Sequence, residues 1–190
     1  KADETLIWWG LTIGITPHLE AAIVPIQLAR TADVSIPPST NLDRWGCELR
    51  SRFNSPDPIE AGPITALVRV AAYRQIDVRS GARGEADLVV GFEQGRFLVN
   101  ADLGIVSEYS PASTSLEVRP AGGISVLAFE QVRLGAEVYS ELNVQGDSVS
   151  WLVVGPSASW THGRFWISAV LGEGVFGIHT APRVKFGVQF

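Results

Sequence analysis

Apolar and polar residues alternate with a period of two along most of the chain, and no stretch carries the spacing of a three-turn amphipathic helix. Segments of this kind, separated by turn signals, predict eleven strands of an all-β antiparallel sheet. In the first, residues 6–16, Trp9, Leu11, Ile13 and Ile15 oppose Gly10, Thr12 and Gly14. Pro17-His18 turns into 19–29, where both faces are apolar, and a polar loop holding Pro37-Pro38 is expected over 30–41. In 43–53, Trp45, Cys47, Leu49 and Phe53 share one face and Arg44, Glu48, Arg50 and Arg52 the other. A Pro-rich connection, 54–63, precedes 64–75, where Val68 and Val70 face away from Arg69 and Tyr73. The same alternation marks 85–93, 97–108, 116–129, 132–142, 149–161, 164–174 and 184–190.

The connections carry a second pattern. Counted back from the end, tight turns (His162-Gly163, Glu130-Gln131, Gln94-Gly95, Pro17-His18) alternate with longer loops (178–182, 143–148, 110–115, 77–84, 31–41), 54–63 being the exception. An up-and-down sheet with short turns at one edge follows. Up-and-down sheets of this kind close into barrels, usually with an even number of strands. A barrel of about twelve is expected, ten being the fallback, with a first strand upstream of Lys1 in a longer precursor.

Composition changes the reading of the two faces. Apolar residues make up 46% and charged ones 18%, against the ~25% charged of ordinary soluble domains. The only lysines are Lys1 and Lys185, although soluble sheets spend Lys on their edges and outer faces. A lipocalin-like soluble barrel, with its apolar faces inward, is therefore the weaker reading. In the stronger one the faces are reversed and lipid meets the apolar side. Residues 1–190 then form a single transmembrane barrel domain. Its lumen is expected to be lined by Arg44, Glu48, Arg50, Arg52, Arg69, Asp87, Asp102, Glu117, Arg119, Arg133, Glu137, Glu141 and Lys185. Trp9, Trp45, Trp160 and Phe165 supply an interfacial aromatic girdle. The net charge of −5, with no basic run, speaks against a nucleic-acid partner.

The closing residues Val184, Phe186, Val188 and Phe190 alternate with Lys185, Gly187 and Gln189. This ending resembles the last strand of bacterial outer-membrane β-barrel proteins, where a terminal Phe after alternating apolar residues is the signal read by the barrel-assembly machinery. The resemblance implies a bacterial outer-membrane location, a periplasmic C-terminus, short periplasmic turns, and the lipid bilayer and assembly machinery as partners. The chain has no Met, so an export signal is expected to have been removed.

Little in the chain points to chemistry. Cys47 is the single cysteine, which leaves no disulfide or cysteine metal framework. His18 and His162 lie in turns, and His179 in a loop near Glu173 and Asp147. Outer-membrane phospholipases place a His and a Ser on lipid-facing strands, and no His here falls in mid-strand. Neither catalytic residues nor a cofactor or metal site is expected. The function expected first is a narrow passive pore for small polar solutes, with lumen charges setting selectivity. The alternative is a non-conducting structural barrel that anchors or docks a larger envelope or surface complex, with other envelope proteins as partners.

Overall fold

A computed structural model describes residues 3–33, 36–54, 62–76 and 80–188. They form one antiparallel sheet and no helix. Its strands are β1 (Asp3–Thr16), β2 (Leu19–Asp33), β3 (Ile36–Arg52), β4 (Ile64–Gln75), β5 (Ala82–Gln94), β6 (Phe97–Tyr109), β7 (Thr114–Phe129), β8 (Val132–Gln145), β9 (Trp151–His162), β10 (Phe165–Val170), β11 (Glu173–Phe176) and β12 (Arg183–Val188). Each pairs with its neighbour in sequence from β1 to β10, and β12 pairs with β10. Phe190, the last residue of the expected assembly signal, and Gln189 lie outside the described residues.

β10 and β11 behave as one interrupted strand. Phe165 pairs with His162 and Val170 with Ser157; beyond Leu171-Gly172, Glu173 pairs with Val154 in the same register. The expected strand at 164–174 is this unit, so eleven strands run in sequence across the sheet. The last hairpin turns earlier than its loop signal implied: the Gly174 N–H donates to the His179 carbonyl at 2.7 Å, and Ala181 N–H to Gly172 at 3.0 Å. The turn therefore lies at 175–178, with Gly177 at φ 79°, and 179–182 already run back alongside 171–174.

The expected loop over 30–41 is the main correction. β2 runs to Asp33 and β3 starts at Ile36, with Arg30 opposite Thr40, Thr31 opposite Ser39 and Asp33 opposite Ile36. Its polar residues hid it, because alternation is invisible where neither face is apolar. Pro37 and Pro38 fall where the register shifts between Thr31 and Asp33, and Pro25 where it shifts between Ile23 and Ile26. Proline, lacking an N–H, is tolerated at such bulges. With this hairpin closed tightly, the two edges differ less in loop length than the sequence suggested. Two of the tight turns also sit one residue later, at Gly95-Arg96 and Gly163-Arg164, with Gly95 at φ 60° and Gly163 at φ 58°. Only glycine takes that conformation without strain.

The sheet is one layer with almost no apolar core. Its buried apolar residues are few, among them Val106, Val153 and Val170, while Leu88, Leu103, Ile105, Phe165 and Phe186 stand exposed. The exposed area, 12410 Å², exceeds the roughly 8,900 Å² that size scaling gives a compact soluble chain of 20.5 kDa. Glu48, by contrast, is 1% exposed. Polar and apolar faces have exchanged the places they hold in a soluble protein.

The register is also staggered. One row of paired residues runs Ile13, Ala21, Leu49, Val70, Ala86, Ile105, Val118 and Leu142. It leaves β1 near Thr16 at one edge and reaches β8 near Gln145 at the other. The climb is about one residue per strand, ~3.4 Å of rise against ~4.8 Å of spacing, a slope of about 35°. Such a stagger is the strand tilt that a closed sheet requires.

Candidate functional site

Alternation sends residues 44, 46, 48 and 50 of β3, 69, 71 and 73 of β4, and 83, 85 and 87 of β5 to one face. Cross-strand pairing then lays them in rows: Arg50 beside Arg69 beside Asp87, Glu48 beside Ala71 beside Glu85, and Gly46 beside Tyr73 beside Arg83. Opposite charges thus meet diagonally as well as laterally, within reach of long side chains. Gly46 belongs to the arrangement, since a Cβ there would stand 2.8 Å from the Tyr73 ring and 2.0 Å from the Ala72 carbonyl oxygen.

Arg69 is the hub. Its Nε meets Glu48 Oε2 at 2.8 Å and its Nη2 meets Glu85 Oε2 at 2.9 Å, while Nη1 pairs with Asp87. Glu48 is also held by Arg50, and accepts from the Tyr73 hydroxyl at 3.3 Å. Glu85 takes Arg83 at 2.6 Å and Arg119, from β7, at 3.0 Å. Arg83 continues to Glu108 at 3.0 Å, which Arg44 approaches at 3.7 Å and Gln75 at 3.3 Å. At one end Asp43 joins Arg44 to Gln27. At the other Glu141 lies 3.7 Å from Arg119 and accepts from Trp151 Nε1 at 3.2 Å. A belt of ion pairs therefore runs from β3 to β8, extended by hydrogen bonds to Gln27 on β2 and Trp151 on β9.

Contacts that skip strands show which way the sheet curls. Arg44 on β3 reaches Glu108 on β6, Arg133 on β8 pairs with Glu93 on β5, and Arg183 on β12 meets Glu137 on β8 at 2.8 Å. Across a flat sheet three strand spacings amount to ~14 Å. The charged face is therefore concave. Arg183 also lies over the Tyr139 ring at 4.3 Å, and the Tyr139 hydroxyl donates to the Ala181 carbonyl.

Of the residues expected to line a lumen, Arg44, Glu48, Arg50, Arg69, Asp87, Arg119 and Glu141 meet in the belt. Arg133 and Glu137 form the two separate pairs above, and Glu117 is buried on the same face. Asp102 and Lys185 line a polar cavity, and Arg52 stands exposed at the end of β3. Asp43, Tyr73, Arg83, Glu85, Glu108 and Arg183 belong to the site but were not singled out from sequence. Parity could have found most of them: Arg83 and Glu85 precede Asp87 by four and two residues, and Arg183 precedes Lys185 by two. Arg83 and Arg183 lie just beyond the stretches where apolar alternation is evident, and Asp43, Glu85 and Glu108 lie at the ends of theirs.

The apolar face carries the four girdle residues exposed. Trp9 and Trp45 share a row through Ile26, whereas Trp160 and Phe165 flank the turn at 163–164, where Trp160 stacks on His162 at 5.8 Å. Val184, Phe186 and Val188 share this face and are exposed, as is Cys47. His18, His162 and His179 are exposed in or beside turns. Among the described residues no His, Cys, Asp and Glu group is arranged to hold a metal ion. No protein-family model, no curated protein and no solved structure matches this chain.

Proposed function

We propose that this chain is a membrane-spanning β-barrel of the bacterial outer-membrane kind, its apolar face in lipid and its charged face around a narrow interior. One observation carries the reading: large apolar side chains are exposed while Glu48 is sealed by Arg50 and Arg69. A contiguous apolar surface spread over most strands far exceeds the roughly 300–600 Å² patch of a typical soluble monomer. In hydrocarbon it costs nothing. Strands of 12 to 17 residues from β1 to β9 exceed the ~9–11 needed to cross a bilayer, and the stagger of the register supplies the tilt for closure. Insertion would then depend on the barrel-assembly machinery, which the apolar closing strand addresses, and the C-terminus would be periplasmic.

As activity we propose a narrow passive path for small polar solutes. The belt's cations and carboxylates largely neutralise one another, so the path discriminates little between ions and favours compact solutes without net charge. A second reading, a non-conducting barrel that anchors an envelope complex, is favoured by the same pairing of Glu48, because ion pairs that fill the interior leave no path. Recordings in planar bilayers and swelling of liposomes separate them. Solute-dependent swelling, with small conductance steps, is expected. Purified, folded protein that gives neither supports the anchoring barrel and overturns the path.

A further inference from the structure

Away from the belt, the concave face holds a cavity of about 220 Å³ between β6–β8 and β10–β12. Asn100, Asp102, Glu137, Ser168, Arg183 and Lys185 provide its polar lining. Its charges sum to zero: two carboxylates against two cations. Glu137 and Arg183 satisfy each other at 2.8 Å. The other two do not, since among the described residues Asp102 Oδ1 is buried without a hydrogen-bond partner and Lys185 forms no ion pair. A carboxylate oxygen withdrawn from water without a donor is costly, and an ammonium offers three donors. The cavity therefore presents a buried acceptor without a donor, Asp102 Oδ1, facing an exposed ammonium, Lys185, that attracts it without closing to an ion pair. A lone anion would be matched only at Lys185, and a lone cation only at Asp102.

We propose that this cavity binds a compact zwitterion of the amino-acid class, its ammonium on Asp102 and its carboxylate on Lys185. The volume equals that of about seven waters, room for a small amino acid with a few waters beside it. Asn100 and Ser168 add neutral polar groups for the rest of the solute. The inference rests on the reading of the concave face as a solute-accessible barrel interior, and it names the solute class of that path.

The test uses the whole chain folded in detergent, with L-alanine as probe and acetate and methylammonium as half-ligands, followed by calorimetry or saturation-transfer NMR. L-alanine is expected to bind at least ten-fold more tightly than either half-ligand. Asp102→Asn and Lys185→Gln, both close in size to the parent, are each expected to weaken L-alanine at least ten-fold while folding as the parent does by electrophoretic mobility. Ser168→Trp fills the cavity without touching its charges and should abolish binding. Absent L-alanine binding, acetate binding as tightly as L-alanine, or charge variants that bind like the parent overturn the proposal. Liposome swelling with the same preparations keeps the two readings apart. Binding without entry upholds the site and sinks the path, and entry without binding does the reverse.

Discussion

Arg69 makes ion pairs with Glu48, Glu85 and Asp87, carboxylates from two flanking strands. Taking it away leaves Asp87 with no other ion pair among the described residues, although Glu48 keeps Arg50, and Glu85 keeps Arg83 and Arg119. Arg69→Ala is therefore expected to cost about 3–5 kcal/mol, the range for breaking a largely buried pair by removing one partner. Glu48→Gln leaves Arg69 two carboxylates and should cost less, about 1–3 kcal/mol. Urea unfolding in phospholipid vesicles, read by tryptophan fluorescence, measures both. Equal costs would show that Arg69 is not the hub the geometry makes it. At this scale parity let the sequence supply residue types and facing, but not pairing. Arg69 and Glu85 lie sixteen residues apart in sequence, and only the register of β4 on β5 brings them together.

An element of this sheet is defined by what its two faces meet. Leu88 on β5 is 46% exposed on the apolar face, while Asp87 beside it is tied to Arg69. Leu88→Arg should cost about 2–4 kcal/mol in a bilayer, the penalty for a cation on the lipid side near mid-membrane. Thr12→Arg, exposed and in the same row of the charged face as Glu48, should change stability by no more than about 0.5 kcal/mol. Folding yield into vesicles, compared for the two, tests the facing of the sheet; similar yields would refute lipid contact at Leu88. Strand existence was legible wherever one face was apolar, as in β5 and β6. It was lost where Thr31 and Asp33 pair across from Ser39 and Ile36. Backbone hydrogen bonds continue there with no hydrophobic contrast to betray them.

At the scale of the whole molecule the seam between β1 and β12 decides closure. With eleven strands in sequence, β1 and β12 run in the same direction, so a direct β1–β12 ladder is parallel, and a strand inserted between them is antiparallel to both. Either arrangement satisfies the outward backbone groups of β1, which in hydrocarbon cost several kcal/mol each if left unpaired. Hydrogen exchange in vesicles should therefore find the amides of β1 that point away from β2 slowly exchanging. Fast exchange at alternate residues of β1 would mean an open edge and no barrel. The molecule should also need detergent or lipid to stay dispersed, since its apolar face has no cover of its own. A monomer stable in plain buffer would remove the membrane reading altogether.

The sequence by itself determined that this chain is a sheet of alternating strands, where most of them begin, and which residues share a face. Those properties follow from a period of two and from turn residues, and both are local. The shape of the charged face was left to the tertiary structure. Register, bulges at Pro25 and Pro37-Pro38, and a steady stagger decide that Arg69 gathers three carboxylates while Asp102 Oδ1 is left without a hydrogen-bond donor across the cavity from Lys185. These are sums of small offsets over many strands, and a single residue of slip in any one would send every later side chain to the opposite face.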